Sequence, residues 1–248
     1  MATASEPRHV GSTNGTAEFD RWRSSTRVFL QPIAAPSVLG LFGFAAATFM
    51  VATNLAGWYG NNMSGLYIFP FAATFGGIAQ FAAGLWAYRA RDAIATAMHG
   101  MWGTFWMAYG ILWLLVAAGD LKLTGHGALT AFAYWFWPLA VITAFGCVAA
   151  VFENLGLASV LGTLATGSAF VGIGYTTGIH GWLVAGGWVL FASSVLAVYT
   201  AGSMMLKWAV GRTVLPLGEW RREANIPLEE PTHPIEYHYG EPGIKQGQ

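Results

Sequence analysis

From Val28 to Leu206 the chain is apolar almost without relief, and the polar positions that interrupt it fall about one membrane crossing apart. The six charges in that stretch are Arg89, Arg91, Asp92, Asp120, Lys122 and Glu153. Val28 to Tyr88 is 61 residues without a charge, broken by the polar Gly/Asn cluster Trp58 to Gly65, which predicts a turn between two spans. Ala93 to Gly119 and Leu123 to Phe152 are one crossing each, since ~20 helical residues at ~1.5 Å rise cover ~30 Å of hydrocarbon. Asn154 to Leu206 is 53 residues with a break at Thr176 to Gly181, which makes two more. The pattern predicts an all-α integral membrane protein with six transmembrane helices, near 38–58, 65–88, 95–118, 128–151, 155–175 and 182–206. Pro70 and Pro138 fall inside spans and are expected to bend them.

Composition agrees and adds an orientation. Only 24 of 248 residues are charged, 10% against about 25% in a soluble domain. Seven of these charges lie in residues 1–27 and eleven in 207–248, which leaves six for the middle. Twelve basic and twelve acidic side chains cancel, and no basic face survives for nucleic acid. The single Cys147 excludes a disulfide framework or a cysteine metal site. Six crossings put both termini on one side, where eleven of the twelve Lys/Arg fall; Lys122 alone lies opposite. The positive-inside rule makes the terminal side cytoplasmic, and the protein integral to the plasma (inner) membrane. The first 27 residues lack an apolar core of the signal-peptide kind. The expected organisation is a cytosolic N-terminal tail (1–35), a six-helix membrane domain (36–219) and a cytosolic, disordered C-terminal tail (220–248). Around Phe19, Trp22, Val28 and Phe29 the first tail has the composition either of a surface-lying amphipathic segment or of a plain flexible tail.

No predicted span contains Asp, Glu, Lys or Arg. Carboxylate proton relays, arginine gating charges and buried ion-pair switches are therefore excluded at mid-membrane. His99 at the cytoplasmic start of the third span, and His126 and His180 in outward loops, are too dispersed to ligate a redox metal. They read as interfacial or pore-mouth residues. No cofactor or metal is expected, and no nucleophile–base pair suggests an enzyme. The informative polar residue is Gln80, in Phe75-Gly-Gly-Ile-Ala-Gln80-Phe-Ala-Ala-Gly84. Gly76, Gln80 and Gly84 recur at a spacing of four and form one helical stripe, the glycines being candidates for close helix packing. A buried amide there either bonds a neighbouring helix or faces a wet path. Gly174 and Gly178, and the row Gly162, Gly167, Gly172, are further packing candidates. Most of the aromatics, including Trp102, Phe105, Trp106, Tyr109 and Trp113, are expected to face lipid or anchor at the interfaces, as are Trp135 and Trp137.

Several blocks resemble the acetate uptake transporter family, which includes bacterial acetate/succinate permeases of the YaaH type and fungal acetate and ammonia permeases. The run Pro36-Ser-Val-Leu39-Gly40-Leu41-Phe-Gly43-Phe44 resembles the start of that family's first helix. The Gln80 block with Tyr88, then Gly103-Thr-Phe-Trp106, resembles its second and third helices, and Gly211-Arg212-Thr-Val-Leu-Pro216-Leu-Gly218-Glu219 its ending. The resemblance implies a homo-hexamer with a pore through each protomer, carrying short carboxylates such as acetate and succinate together with protons. It also implies a Phe/Tyr/Leu constriction around a central Gln, matched here by Phe44, Trp102, Leu164 and Gln80. Trp102 stands where the family has Tyr, which removes a hydroxyl and adds bulk. The family's Asn-Pro-Ala-Pro-Leu-Gly-Leu reads Ala35 to Leu41 here, losing the Asn and one Pro, and Lys207 replaces a neutral polar residue.

Two other functions fit the same residues. An ammonia or ammonium permease is suggested by the fungal relatives, although no intramembrane carboxylate is present to favour a cation. A non-transporting oligomeric scaffold or sensor would use the glycines for assembly alone.

Overall fold

The computed structural model describes residues 33–219, apart from 62, 91 and 123–125. The expectations for the two tails outside that range, the Phe19 to Phe29 segment among them, fall on residues that are not described. Six helices long and apolar enough to cross a membrane follow one another: α1 (Pro36–Leu55), α2 (Gly65–Ala90), α3 (Ala93–Ala118), α4 (His126–Ala150), α5 (Leu155–Thr177) and α6 (His180–Val210). Their ends depart from the sequence expectation by up to four residues. Thus α6 runs on past Lys207, α2 takes in Arg89, and His126 and His180 are the first residues of helices instead of loop residues.

Local chemistry sets the ends. Pro36 opens α1, where a missing N–H costs nothing and the ring fixes a helical φ. Asp92 caps α3 by accepting from the Ala95 N–H at 2.8 Å, and Asn154 caps α5 by accepting from Leu157 at 2.8 Å. Gly178 ends α5 with φ 72°, and a Cβ there would meet nothing within 4 Å. It is a left-handed cap and not the packing residue expected.

Helix α2 is not uniform. Gly65–Phe71 and Gln80–Ala90 are α-helical, and Ala72–Ala79 between them is π-helical. Pro70, just upstream, has no N–H to give to the α-helical ladder, and the wider i→i+5 pairing begins within a turn of it. Gly76 lies in the π stretch, so Gly76, Gln80 and Gly84 do not form one straight α-helical row.

Helix α1 lies between α2 and α6, α2 packs on α3, and α4, α5 and α6 pack in succession; α3 and α4 meet only sparsely. The core between them is closely sealed by small residues, with Ala45, Ala47, Ala52, Ala197 and Ala201 all buried. The chain after α6 folds back as a strap over the start of α5. The Leu155 and Gly156 N–H groups donate to the Gly218 and Leu217 carbonyls, Tyr199 Oη donates to Pro216 O at 2.8 Å, and buried Lys207 pairs with Glu219 at 3.5 Å. The family-like ending is thus a cap for another helix.

Candidate functional site

Where α3 stands away from α4, a cavity of about 690 Å³ opens on the face opposite the start of α1 and the end of α6. Exposed Asn61, Leu121 and Lys122 ring its mouth. Among the residues lining it are Trp102, Phe105, Trp106, Tyr109 and Trp113, aromatic side chains assigned above to lipid or the interfaces. Trp102, Phe105 and Trp106 are buried, and consecutive ring centroids run Trp102–Phe105 5.2 Å, Phe105–Trp106 5.0 Å, Trp106–Tyr109 5.6 Å and Tyr109–Trp113 6.3 Å. Most of these contacts are edge-to-face, the arrangement that ring quadrupoles favour. Trp135 and Trp137 do remain exposed, yet they sit in the middle of α4 and not at its end, so they are not belt anchors.

The four sequence-matched pore residues lie at one depth, eight to ten residues in from the ends of α1, α2, α3 and α5 on the terminal face. All are buried, with Phe44 2%, Gln80 2%, Trp102 3% and Leu164 2% exposed. Phe44 and Trp102 meet edge-on at 6.3 Å. Trp102 and Leu164 line the inner end of the cavity; Phe44 backs Trp102, and neither it nor Gln80 reaches the cavity wall. Trp102 Nε1 donates to Thr143 Oγ1 at 2.9 Å, and that hydroxyl donates to Leu139 O at 2.6 Å. The Trp102 indole therefore has a partner on α4. Thr143 was missed in the sequence because a threonine one turn below a leucine in an apolar helix carries no motif.

Gln80 Oε1 is buried with no hydrogen-bond partner. The helix-bonding alternative for this amide thus lacks an acceptor contact. His99 is also not interfacial: the ring is 4% exposed and Nδ1 has no partner. It fits because of Gly40, where a Cβ would stand 2.5 Å from the ring. Of the other start-motif residues, Leu41 is buried and Leu39 is exposed.

Glycines bring α1, α2 and α3 together around this layer. A Cβ on Gly76 would lie 2.6 Å from Ala47 and Trp106, one on Gly84 2.7 Å from the Gly100 backbone N, and one on Gly43 against the Phe75 carbonyl. In the second group, Gly167 and Gly174 face Leu190 and Leu183 closely, whereas Gly162 and Gly172 have looser contacts. Among the described residues no three His, Cys, Asp or Glu side chains converge as metal ligands.

Comparison with known proteins agrees with this architecture. The profile of the GPR1/FUN34/yaaH family matches residues 23–216. The succinate-acetate/proton symporter SatP of Escherichia coli K12 is 27% identical over 187 residues, covering 75% of this chain and 96% of that protein. An uncharacterized protein of Methanothermobacter thermautotrophicus is 26% identical over 200 residues, covering 78% and 96%. Among solved structures, that of a bacterial acetate channel SatP superposes with a TM-score of 0.69 at 25% identity, over 75% of this chain and all of that one.

Proposed function

The chain belongs to the GPR1/FUN34/yaaH family, and from that membership and the geometry of the cavity we propose that it passes acetate and similar short carboxylates, succinate among them, through the membrane together with protons. One observation carries the reading: an aromatic chamber ends at Trp102 and Leu164, level with the unpartnered amide oxygen of Gln80. Lys122 is the charged side chain among the residues lining the cavity, and it favours anions over ammonium.

A short aliphatic acid resembles Glu in acidity, with pKa about 4.3, so near neutrality roughly one molecule in 500 is uncharged. An anion is expensive to carry through an apolar constriction, whereas the acid is not. Phe44, Trp102 and Leu164 serve as that constriction, and they exclude hydrated ions by dewetting. Gln80 accepts from the acid O–H through Oε1 or, turned over, donates through Nε2. The described spans hold no carboxylate at this depth, so the substrate carries its own proton across.

The terminal face, with eleven of the twelve basic residues, is the cytoplasmic one, and the cavity opens outward. The assembly is a homo-hexamer with one pore per protomer. Large apolar side chains exposed along the spans, Tyr134, Trp135 and Phe145 on α4 and Phe75 on α2, support contacts to neighbouring protomers as well as to lipid.

Labelled acetate uptake in proteoliposomes tests the reading. An inward proton gradient is expected to accelerate uptake, and Gln80→Ala to cut flux at least tenfold while the variant assembles normally. Uptake indifferent to the gradient between pH 5 and 8 rules out proton coupling, and normal flux in Gln80→Ala removes the amide from the path.

A further inference from the structure

Helices α3 and α4 meet sparsely, and three contacts that bridge them descend from the chamber toward the terminal face. The Phe105 and Phe136 rings are 5.6 Å apart, Trp102 Nε1 donates to Thr143 Oγ1 at 2.9 Å, and a Cβ on Gly146 would stand 2.5 Å from Met98 Sδ. Residues 98, 102 and 105 are spaced by four and three, so they share a face of α3. The outer and inner contacts are van der Waals contacts, which tolerate sliding. The middle one is a hydrogen bond, and its donor is the indole that closes the inner end of the cavity beside Leu164. How that flat ring is turned sets the room left for a solute. Rotation of a tryptophan ring about χ2 is broad, and the edge-on contacts with Phe44 at 6.3 Å and Phe105 at 5.2 Å belong to a class that accepts a range of ring distances and tilts. A hydrogen bond is stricter, because it weakens steeply as the donor turns away.

We propose that Thr143 is a positioning residue that sets the size limit of the constriction: by accepting the Trp102 N–H it fixes the indole in the orientation that narrows the passage beside Leu164. This rests on the transport reading above and adds a determinant of its selectivity. Thr143 touches the solute path only through Trp102. Its side chain suits the task because its own proton is engaged. The hydroxyl donates to Leu139 O at 2.6 Å one turn away, which leaves its lone pairs for the indole, a group that only donates. Thr143 is 0% exposed, so bulk water does not compete for the bond. Without the acceptor the N–H is left unpaired in apolar surroundings, a costly state that the ring leaves by turning toward another partner. The closing edge then moves off Leu164, and longer carboxylates pass.

The test is the ratio of butyrate to acetate uptake by the full chain in proteoliposomes. Thr143→Val keeps the shape of the side chain and removes the acceptor, and it is expected to raise that ratio about tenfold, the discrimination that small differences in apolar size ordinarily carry. Thr143→Ser keeps an acceptor and is expected to hold the ratio of the wild type. Trp102→Phe removes the donor, and in that background Thr143→Val is expected to move the ratio no further, since the two residues act through one bond. A threonine that served packing alone would lower both uptakes together and leave their ratio in place. An unchanged ratio in Thr143→Val therefore overturns the proposal, and so does an equal further change when Thr143→Val is added to Trp102→Phe. Should Thr143→Val fail to assemble, Thr143→Ala is read in its place with the same expected and overturning results. A wild type that passes neither carboxylate contradicts the transport reading and this role with it; normal uptake with an unchanged ratio contradicts this role alone.

Discussion

Glu153, in the turn between α4 and α5, is half-buried, and burial together with the Asp92 carboxyl raises its pKa from 4.5 to about 7. Asp92 is itself raised by burial, although the Ala95 and Ile94 N–H groups oppose the shift. Between pH 4.5 and about 7 the folded chain keeps a proton on Glu153 that the unfolded chain has released. Stability is therefore greatest below pH 4.5 with respect to this group and falls as pH rises to about 7. Glu153→Gln is expected to flatten the melting temperature of the solubilised protein across that window; an unaltered slope would assign the effect to another group. The family-like motifs singled out Phe44, Gln80, Trp102 and Leu164; the four fall at one depth, and of them Trp102 and Leu164 reach the cavity wall. The pairing of His99 with Gly40 was not legible, because the two residues are far apart in the chain and a glycine records only that something must come close.

At the scale of elements, α2 and α3 are held by glycine contact more than by side-chain interlock. Gly84→Ala places a methyl 2.7 Å from the Gly100 backbone, an overpacking expected to cost about 1–3 kcal/mol. Gly100→Ala meets nothing within 4 Å and gains roughly 0.5–1 kcal/mol of helix propensity. Melting of the two variants in detergent should move in opposite directions; parallel shifts would mean that the close approach does not hold these helices. Helix positions came from charge spacing, which lipid enforces strictly. Two properties of the helices did not. The π stretch of α2 depends on how backbone carbonyls are satisfied around Pro70, which hydropathy does not record. The aromatic face of α3 was assigned to lipid because a tryptophan facing a chamber and one facing acyl chains read alike in a sequence; only the sparse contact of α3 with α4 distinguishes them.

For the whole molecule, the count of crossings and the membrane setting were fully written in the six internal charges. The strap over α5 was visible only as a block of family-like residues, since its work is done by backbone carbonyls. The chamber itself left no mark in the sequence beyond the glycines and aromatics that frame it. Its placement has a kinetic consequence. A solute arriving at the open face enters about 690 Å³ of space. It meets the aromatic walls before the constriction, and a solute coming the other way reaches the constriction first. The passage is built to rectify. It is not thereby built to pump: with equal pH and no voltage, equal concentrations on the two sides must give zero net flux. The ratio of maximal rate to half-saturating concentration must then be the same in both directions. Oriented vesicles should show a lower half-saturation from the chamber side and, in the same proportion, a lower maximal rate, so that tight capture at one mouth is repaid as slow release through it.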